Sequence, residues 1–294
     1  VKILSTTNSV DLAKKIANRI LCEYINTDVT RFNDLELRIQ IEKNLNSEEA
    51  VIISSISSPA NDHLMELLLI ADAAKNAHAF KITAIITYFG YGRQDRISYN
   101  YSPISAKLVA GLIEAAGIDK IITLDLHSTS ISDFFNIEHY NITSLPLFID
   151  DIKKIPNCMI ISPDEGGIFR AQEYASKLNL DLAYIDKIRD ENNICHMNNI
   201  SQNVINKNCV IIDDIIDSAS TICKASQLLM QKGATSVCAY ITHGVLSKDA
   251  IKKIEDSSLT KITITNSIVN NITSNKFQIL DIEPLFSSKP TPTI

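Results

Sequence analysis

Ten short runs built mainly from Ile, Val, Leu and other strand-forming residues recur along the chain, and longer stretches separate them. They are Val1–Leu4, Leu35–Ile41, Ala50–Ser54, Lys81–Thr87, Lys120–Leu126, Cys158–Ile161, Leu182–Ile185, Asn208–Ile212, Ser236–Thr242 and Lys261–Thr265. A strand that is apolar at nearly every position has to be covered on both faces. Most of the gaps have helical spacing. Val10, Ala13, Ala17 and Ile20 form one stripe, and Leu64, Leu67, Leu68 and Ala71 another. Strand alternating with helix predicts an α/β fold of mainly parallel sheets flanked by helices.

With 294 residues, 45% of them hydrophobic, the chain is long enough to build two cores. The alternation pauses at Glu138–Pro146 and then restarts. The expectation is two similar α/β lobes, 1–142 and 143–294, the last elements of the second ending near 280. Ser287–Ile294, with Pro290 and Pro292, reads as a frayed tail.

Bulk composition removes several function classes. The net charge is -6 and no run rich in Lys or Arg occurs, which argues against a nucleic-acid partner. Glu66 and Asp72 interrupt the longest apolar candidate, Leu64–Ala74, so no membrane span is expected. Val1-Lys2-Ile3-Leu4 carries no signal-peptide pattern. Cys22, Cys158, Cys195, Cys209, Cys223 and Cys238 are scattered without a C-x-x-C pair. That pattern fits reduced core thiols and a cytoplasmic location. An anionic ligand would have to be met by a few local cations or metals.

Ligands of open parallel sheets bind beyond the carboxyl ends of the strands, so those junctions carry the chemistry. Val210-Ile211-Ile212-Asp213-Asp214-Ile215-Ile216-Asp217-Ser218-Ala219-Ser220-Thr221 reads as a strand, two carboxylates, a small-residue turn and a helix start. Gly233 is the expected stop for that helix. Backbone N–H groups and hydroxyls at a helix start make a phosphate cradle, and the acidic residues suit ribose hydroxyls or a cation. The competing reading is that Asp217 or Ser218 merely caps the helix.

Four other junctions are weaker singly. Ser162-Pro163-Asp164-Glu165-Gly166-Gly167 could bring backbone amides close to a polyphosphate, or be an ordinary turn. Asp125-Leu126-His127 ends a strand in polar groups, although a lone histidine is more often structural. Tyr88–Arg96 places Arg93, Gln94, Asp95 and Arg96 behind a glycine-containing aromatic turn that could grip phosphate, or form a solvated loop. Lys187 and Arg189 follow the Leu182–Ile185 strand, where cations can stabilise a transition state or simply face water.

Together and in this order, these segments resemble the ribose-phosphate diphosphokinase (phosphoribosyl pyrophosphate synthetase) family. Arg31-Phe32-Asn33-Asp34-Leu35-Glu36, Asn61-Asp62-His63-Leu64-Met65-Glu66-Leu67 and Ser102-Pro103-Ile104-Ser105-Ala106-Lys107 extend the likeness over nearly the whole chain. The resemblance implies an ATP-side lobe at 1–142 and a lobe for ribose 5-phosphate at 143–294, both of phosphoribosyltransferase type. It implies transfer of the diphosphoryl group of ATP to the C1 hydroxyl of ribose 5-phosphate, with Mg²⁺ as cofactor and AMP released. Asp213, Asp214, Asp217, Ser218, Ala219, Ser220 and Thr221 would hold ribose 5-phosphate. Asp164, Glu165, Gly166 and Gly167 would face pyrophosphate, and His127 and Asp164 the metal. Arg93, Gln94, Asp95 and Arg96 would sit against ATP. Phe32, Asp34 and Glu36 would be lent to a neighbour's adenine site, implying a homo-oligomer of at least two copies, with hexamers usual. Lys187 and Arg189 would be the catalytic cations.

Some positions depart from the family's pattern. Its phosphate loop usually carries at least one glycine, whereas Asp217–Thr221 has none, in a chain with only 8 glycines. Ile188 replaces the middle basic residue between Lys187 and Arg189. Asn46-Ser47-Glu48 stands where Arg-Gly-Gly is common, and Ile97–Tyr101 replaces a basic stretch. The expectation is that phosphate activation and ADP inhibition are weak or absent. Two other functions compete: a catalytically weak or inactive regulatory subunit of a synthetase, and a phosphoribosyltransferase, which would ordinarily be a single lobe.

Overall fold

The computed structural model describes residues 1–189 and 195–286, with the backbone alone at 187–189 and 195–198. Two compact units make up the chain. One is Val1–Thr143 with Ser267–Val269 and the segment beginning at Ile282; the other is Ser144–Asn266 with Asn270–Asp281.

The first unit runs β1 (Lys2–Ser5), α1 (Val10–Arg19), β2 (Glu23–Tyr24), β3 (Thr27–Arg31), β4 (Leu37–Ile41), β5 (Glu49–Ser55), α2 (Ala60–Asn76), β6 (Lys81–Tyr88), α3 (Ser105–Ala115), β7 (Lys120–Leu124) and β8 (Glu138–Ile142). Its sheet has the order β2-β1-β5-β6-β7-β8, every pair parallel. β3 and β4 form a separate antiparallel hairpin. The apolar runs occupy the middle of the sheet, where Ile52, Ile53, Ile85 and Ile86 are fully buried. Leu67, Ile70, Ala71 and Ala74 of α2 cover one face. The segment from Ile282 closes with a 3₁₀ turn at Glu283–Phe286, where Leu285 and Phe286 are buried and Glu283 meets Arg19 at 3.2 Å.

The second unit runs α4 (Leu145–Ile152), β9 (Cys158–Ser162), α5 (Ile168–Leu178), β10 (Leu182–Arg189), β11 (Cys195–Ile200), β12 (Asn208–Ile216), α6 (Ser220–Gln231), β13 (Ser236–Gly244), α7 (Ala250–Glu255), β14 (Lys261–Thr265) and β15 (Phe277–Leu280). Its sheet has the order β11-β10-β9-β12-β13-β14-β15, with only β10–β11 antiparallel. β12 shows why its sequence is apolar at successive positions. Cys209 and Ile211 enter one core with Ile222, Ala225 and Leu229 of α6, while Val210 and Ile212 enter another with Phe148 and Tyr174. Side chains alternate across a strand, so a central strand needs apolar residues of both parities. Gly233, at φ +93, follows the last turn of α6 as expected.

All ten expected strands are present, nine of them with a shifted end and β14 as expected. The five not foreseen are β2, β3, β8, β11 and β15, which lie at sheet edges or in the hairpin. Edge strands need no double apolar cover, so polar runs such as Glu138-His139-Tyr140-Asn141-Ile142 carry little strand signal. β8 therefore occupies the stretch that reads as a pause. Ser287–Ile294 lies outside the described residues.

Among the described residues no helix is long and apolar enough to cross a membrane. Cys22, Cys158, Cys209, Cys223 and Cys238 are free thiols. Burial pushes Cys158 up to about 11 and Cys209 up to about 12, which keeps both protonated and unreactive. The Cys195 side chain lies outside the described residues.

Candidate functional site

β12 does not end at Ile211-Ile212. Pairing with β13 continues from Asp213 opposite Ile241 to Ile216 opposite Gly244. Asp213 and Asp214 thus belong to the strand and do not follow it, because the neighbouring strand is equally long and keeps satisfying the backbone. The turn is Asp217-Ser218-Ala219, and α6 begins at Ser220. Its N-cap is Ala219, at φ +62 and ψ −2, with no side-chain cap bond. Asp217 and Ser218 precede the cap, so the capping reading fails for both. Ser218 and Ser220 are exposed, Thr221 is half-buried, and the Ala219 methyl is packed into the core beside Ile222.

Arg170 of α5 holds the two carboxylates. Its Nη1 lies 2.9 Å from Asp214 Oδ1 and 3.6 Å from Asp213 Oδ1. The Asp214 side chain is only 3% exposed, so this pairing supplies a buried charge with its counterion. The Asp213 carboxyl is held well above the ordinary carboxylate range. Burial is the main cause, the neighbouring Asp214 and Asp164 add to it, and Arg170 opposes it. Sequence reading missed Arg170, one basic residue in an ordinary helix. Its role becomes visible only when α5 packs beside β12.

The Asp164–Gly167 turn links β9 to α5. Asp164 Oδ1 accepts the Gly167 N–H at 3.1 Å, and the Ser162 hydroxyl donates to the Asp164 carbonyl at 2.6 Å. A Cβ at Gly167 would lie 2.9 Å from Ser162 Oγ, whereas one at Gly166 would meet only Asp164 Oδ1 at 3.4 Å. A side chain at Gly167 would thus have to displace the Ser162 hydroxyl, while Gly166 and Glu165 face outward and are exposed.

In the first unit, Phe32, Asp34 and Glu36 sit in the tip of the β3–β4 hairpin. Leu35 and Glu36, expected at the start of a strand, belong to this turn, with Leu35 at φ +74. The Phe32 N–H donates to the Glu36 carbonyl at 2.9 Å, and Asp34 Oδ1 accepts the Glu36 N–H at 3.2 Å. Arg31 braces the tip through the Leu35 carbonyl at 2.8 Å and Asp62 at 2.7 Å. Phe32 stays 53% exposed, a large apolar ring facing solvent.

The loop after β6 turns on Gly90, where a Cβ would collide with the Ile56 carbonyl oxygen, and on Tyr91 at φ +65. Gln94 fastens the loop to α3, accepting from the Ser105 hydroxyl and the Ala106 N–H. Arg93, Gln94 and Arg96 are exposed and Asp95 is half-buried. β7 ends at Leu124, not at Leu126, and His127 stands exposed on the following loop. That loop is held by Asn141 of β8, whose Oδ1 accepts the Leu126 N–H at 3.1 Å and the Thr123 hydroxyl at 3.0 Å. Asn141 went unrecognised along with its strand.

Lys187 and Arg189 lie within β10 and do not follow it. Their backbones pair with Met197 and Cys195 of β11. Their side chains, like residues 190–194, lie outside the described residues.

Residues 1–117 match the family model for the N-terminal domain of ribose phosphate pyrophosphokinase, and residues 195–289 match that for the phosphoribosyl synthetase-associated domain. A ribose-phosphate pyrophosphokinase of Cereibacter sphaeroides (strain KD131) is 44% identical, over 91% of this chain and 83% of its own. That of Agrobacterium fabrum (strain C58) is also 44% identical, over 91% and 87%. Phosphoribosylpyrophosphate synthetase from Mycobacterium smegmatis superposes with a TM-score of 0.91 at 29% identity, over 97% of this chain and 96% of that one.

Proposed function

The chain belongs to the ribose-phosphate pyrophosphokinase family, and from that premise we propose how its residues divide the reaction. ATP gives its diphosphoryl group to the C1 hydroxyl of ribose 5-phosphate, yielding phosphoribosyl pyrophosphate and AMP. The observation that carries the reading is the β12–α6 junction. Arg170-braced Asp213 and Asp214 lead there into a left-handed turn at a helix start.

Asp213 and Asp214 accept the ribose hydroxyls. Asp217–Thr221 receive the 5-phosphate through backbone N–H groups and hydroxyls, where the helix start favours an anion. Asp164–Gly167 face the pyrophosphate. Phosphoryl transfer asks mainly for in-line positioning and for cover over the spreading charge. Lys187 and Arg189 meet that charge, and Arg93, Gln94, Asp95 and Arg96 hold ATP. The exposed Phe32, with Asp34 and Glu36, supports an adenine site shared between copies, hence a homo-oligomer of at least two chains, and the family resemblance favours a hexamer.

Among the described residues no three His, Cys, Asp or Glu side chains form a metal cage. Magnesium bound mainly through substrate phosphates needs only one or two protein carboxylates, so the donor set fits an ion that arrives with ATP. Asp164 would hold it directly, and His127, a nitrogen donor ill-suited to a hard ion, through water. When bound, Mg²⁺ supplies charge neutralisation over the transferred phosphates.

The test is to incubate the pure protein with ATP, Mg²⁺ and ribose 5-phosphate and follow AMP. ADP as product would mean a simple kinase, and no product would favour the inactive regulatory reading. The glycine-free loop does not favour that reading, because Ala219 adopts the left-handed turn that glycine would have made easy. A companion expectation concerns regulation. With Asn46-Ser47-Glu48 and Ile97–Tyr101 in place of basic and glycine residues, rates across a phosphate series should change little. A steep phosphate requirement would contradict this.

A further inference from the structure

A loop without glycine does not relax into a left-handed turn by itself, so its shape has to be imposed from outside. Three successive carbonyls provide the hold. The Leu246 N–H donates to the Ile216 carbonyl at 3.0 Å, and the Ser247 N–H to the Asp217 carbonyl at 3.1 Å. The Lys253 ammonium reaches the Ser218 carbonyl at 3.5 Å. The first two donors lie between the end of β13 and α7, and the third belongs to α7 itself. In a trans peptide the carbonyl and the next N–H point in opposite directions. Fixing these carbonyls therefore turns the N–H groups of Asp217, Ser218 and Ala219 to the other side, as a row of donors of the kind that receives anions.

The supporting stretch is itself tightly constrained. Leu246 and Lys248 adopt φ of +50 and +55 without being glycine. Leu246 packs against the core, Lys253 pairs with Asp249 at 3.0 Å, and the Cys223 thiol of α6 donates to the Lys253 carbonyl at 3.5 Å. Lys253 is thus held at both its ends, by α7 and by α6, with its ammonium directed at the cradle backbone.

We infer that Leu246–Lys253 is the back wall that keeps the phosphate cradle formed, and that Lys253 is a positioning residue for ribose 5-phosphate, acting through the Ser218 carbonyl. This rests on the ribose 5-phosphate reading of the cradle. It locates the control of that affinity on the far side of the loop, in a residue that need not touch the sugar. Lys253 is the one donor of the three that mutation can remove without altering the backbone.

The test compares Lys253→Met and Lys253→Arg with the wild type in two measurements. Steady-state rates are taken with ribose 5-phosphate varied at saturating Mg²⁺-ATP, and exchange of the Leu246 and Ser247 amide hydrogens, which are bonded to the loop carbonyls, is followed without substrates. Lys253→Met should raise KM for ribose 5-phosphate about three- to tenfold, the span of one modest hydrogen bond. It should leave kcat within about twofold and the KM for ATP unchanged. Exchange at Leu246 and Ser247 should quicken, and Lys253→Arg should restore both readouts. Unchanged KM and exchange in Lys253→Met would overturn the inference, as would a fall in kcat with KM unmoved. A wild type that makes no AMP sinks the ribose 5-phosphate reading instead, and the exchange measurement still decides on the back wall. Circular dichroism of Lys253→Met separates local loosening from failure to fold, and if that variant does not fold, Lys253→Gln takes its place in both measurements.

Discussion

Ala219 combines two opposing contributions. A non-glycine residue at φ +62 costs on the order of 1 kcal/mol, and burying its methyl returns about 0.8 kcal/mol. Ala219→Gly should therefore change stability by less than about 1 kcal/mol in urea unfolding. Ala219→Val adds a β-branch in a conformation that such residues rarely adopt, inside a filled core, and should cost about 2–3 kcal/mol. A valine variant as stable as the wild type would show that the loop has another conformation available. Asn46 and Ser47, at φ +51 and +60, likewise adopt the left-handed region without being glycine. At this scale the turn before α6 was legible in the sequence, since its acidic and small residues are local to it. It could not reveal Arg170 or Asn141, whose roles depend on which strand lies beside them.

Between elements, a buried polar tie in the second unit joins Arg170 of α5 to Asp213 and Asp214 of β12. Removing the guanidinium leaves the Asp214 carboxylate, 3% exposed, without its counterion. Arg170→Met should cost about 3 kcal/mol, and adding Asp214→Asn should recover part of that loss. Chemical denaturation of the two single variants and the double variant measures it. Losses that simply add would mean that the two side chains are not coupled. Central strands and amphipathic helices were readable because double burial forces an apolar run and single-sided burial forces a 3.6-residue stripe. Strand ends were not, because they depend on how far the neighbour continues to pair. β12 runs four residues past its last expected position because β13 is equally long. β10 reaches Arg189 because β11 returns alongside it.

For the whole molecule, acid should act in part through His139. Burial holds its imidazole down at about 4, between Thr123, whose hydroxyl lies 2.9 Å from Nε2, and the ring of Phe135. The unfolded chain takes up this proton from about pH 6.5 downward, and the folded chain only near 4. The stability that neutral His139 contributes is therefore complete above about pH 6.5 and is lost progressively as pH falls towards 4. His139→Gln should flatten the fall of Tm over that range, and an unchanged slope would assign the acid sensitivity elsewhere. By itself the sequence determined the α/β class, the central strands, the order of the strand–helix junctions and the family, because these follow from local periodicity and contiguous motifs. Tertiary structure alone decided the edge strands, the guanidinium that neutralises the paired aspartates, and the three donors behind the cradle. Each of these depends on residues far apart in the chain meeting in space, and no local pattern encodes such a meeting.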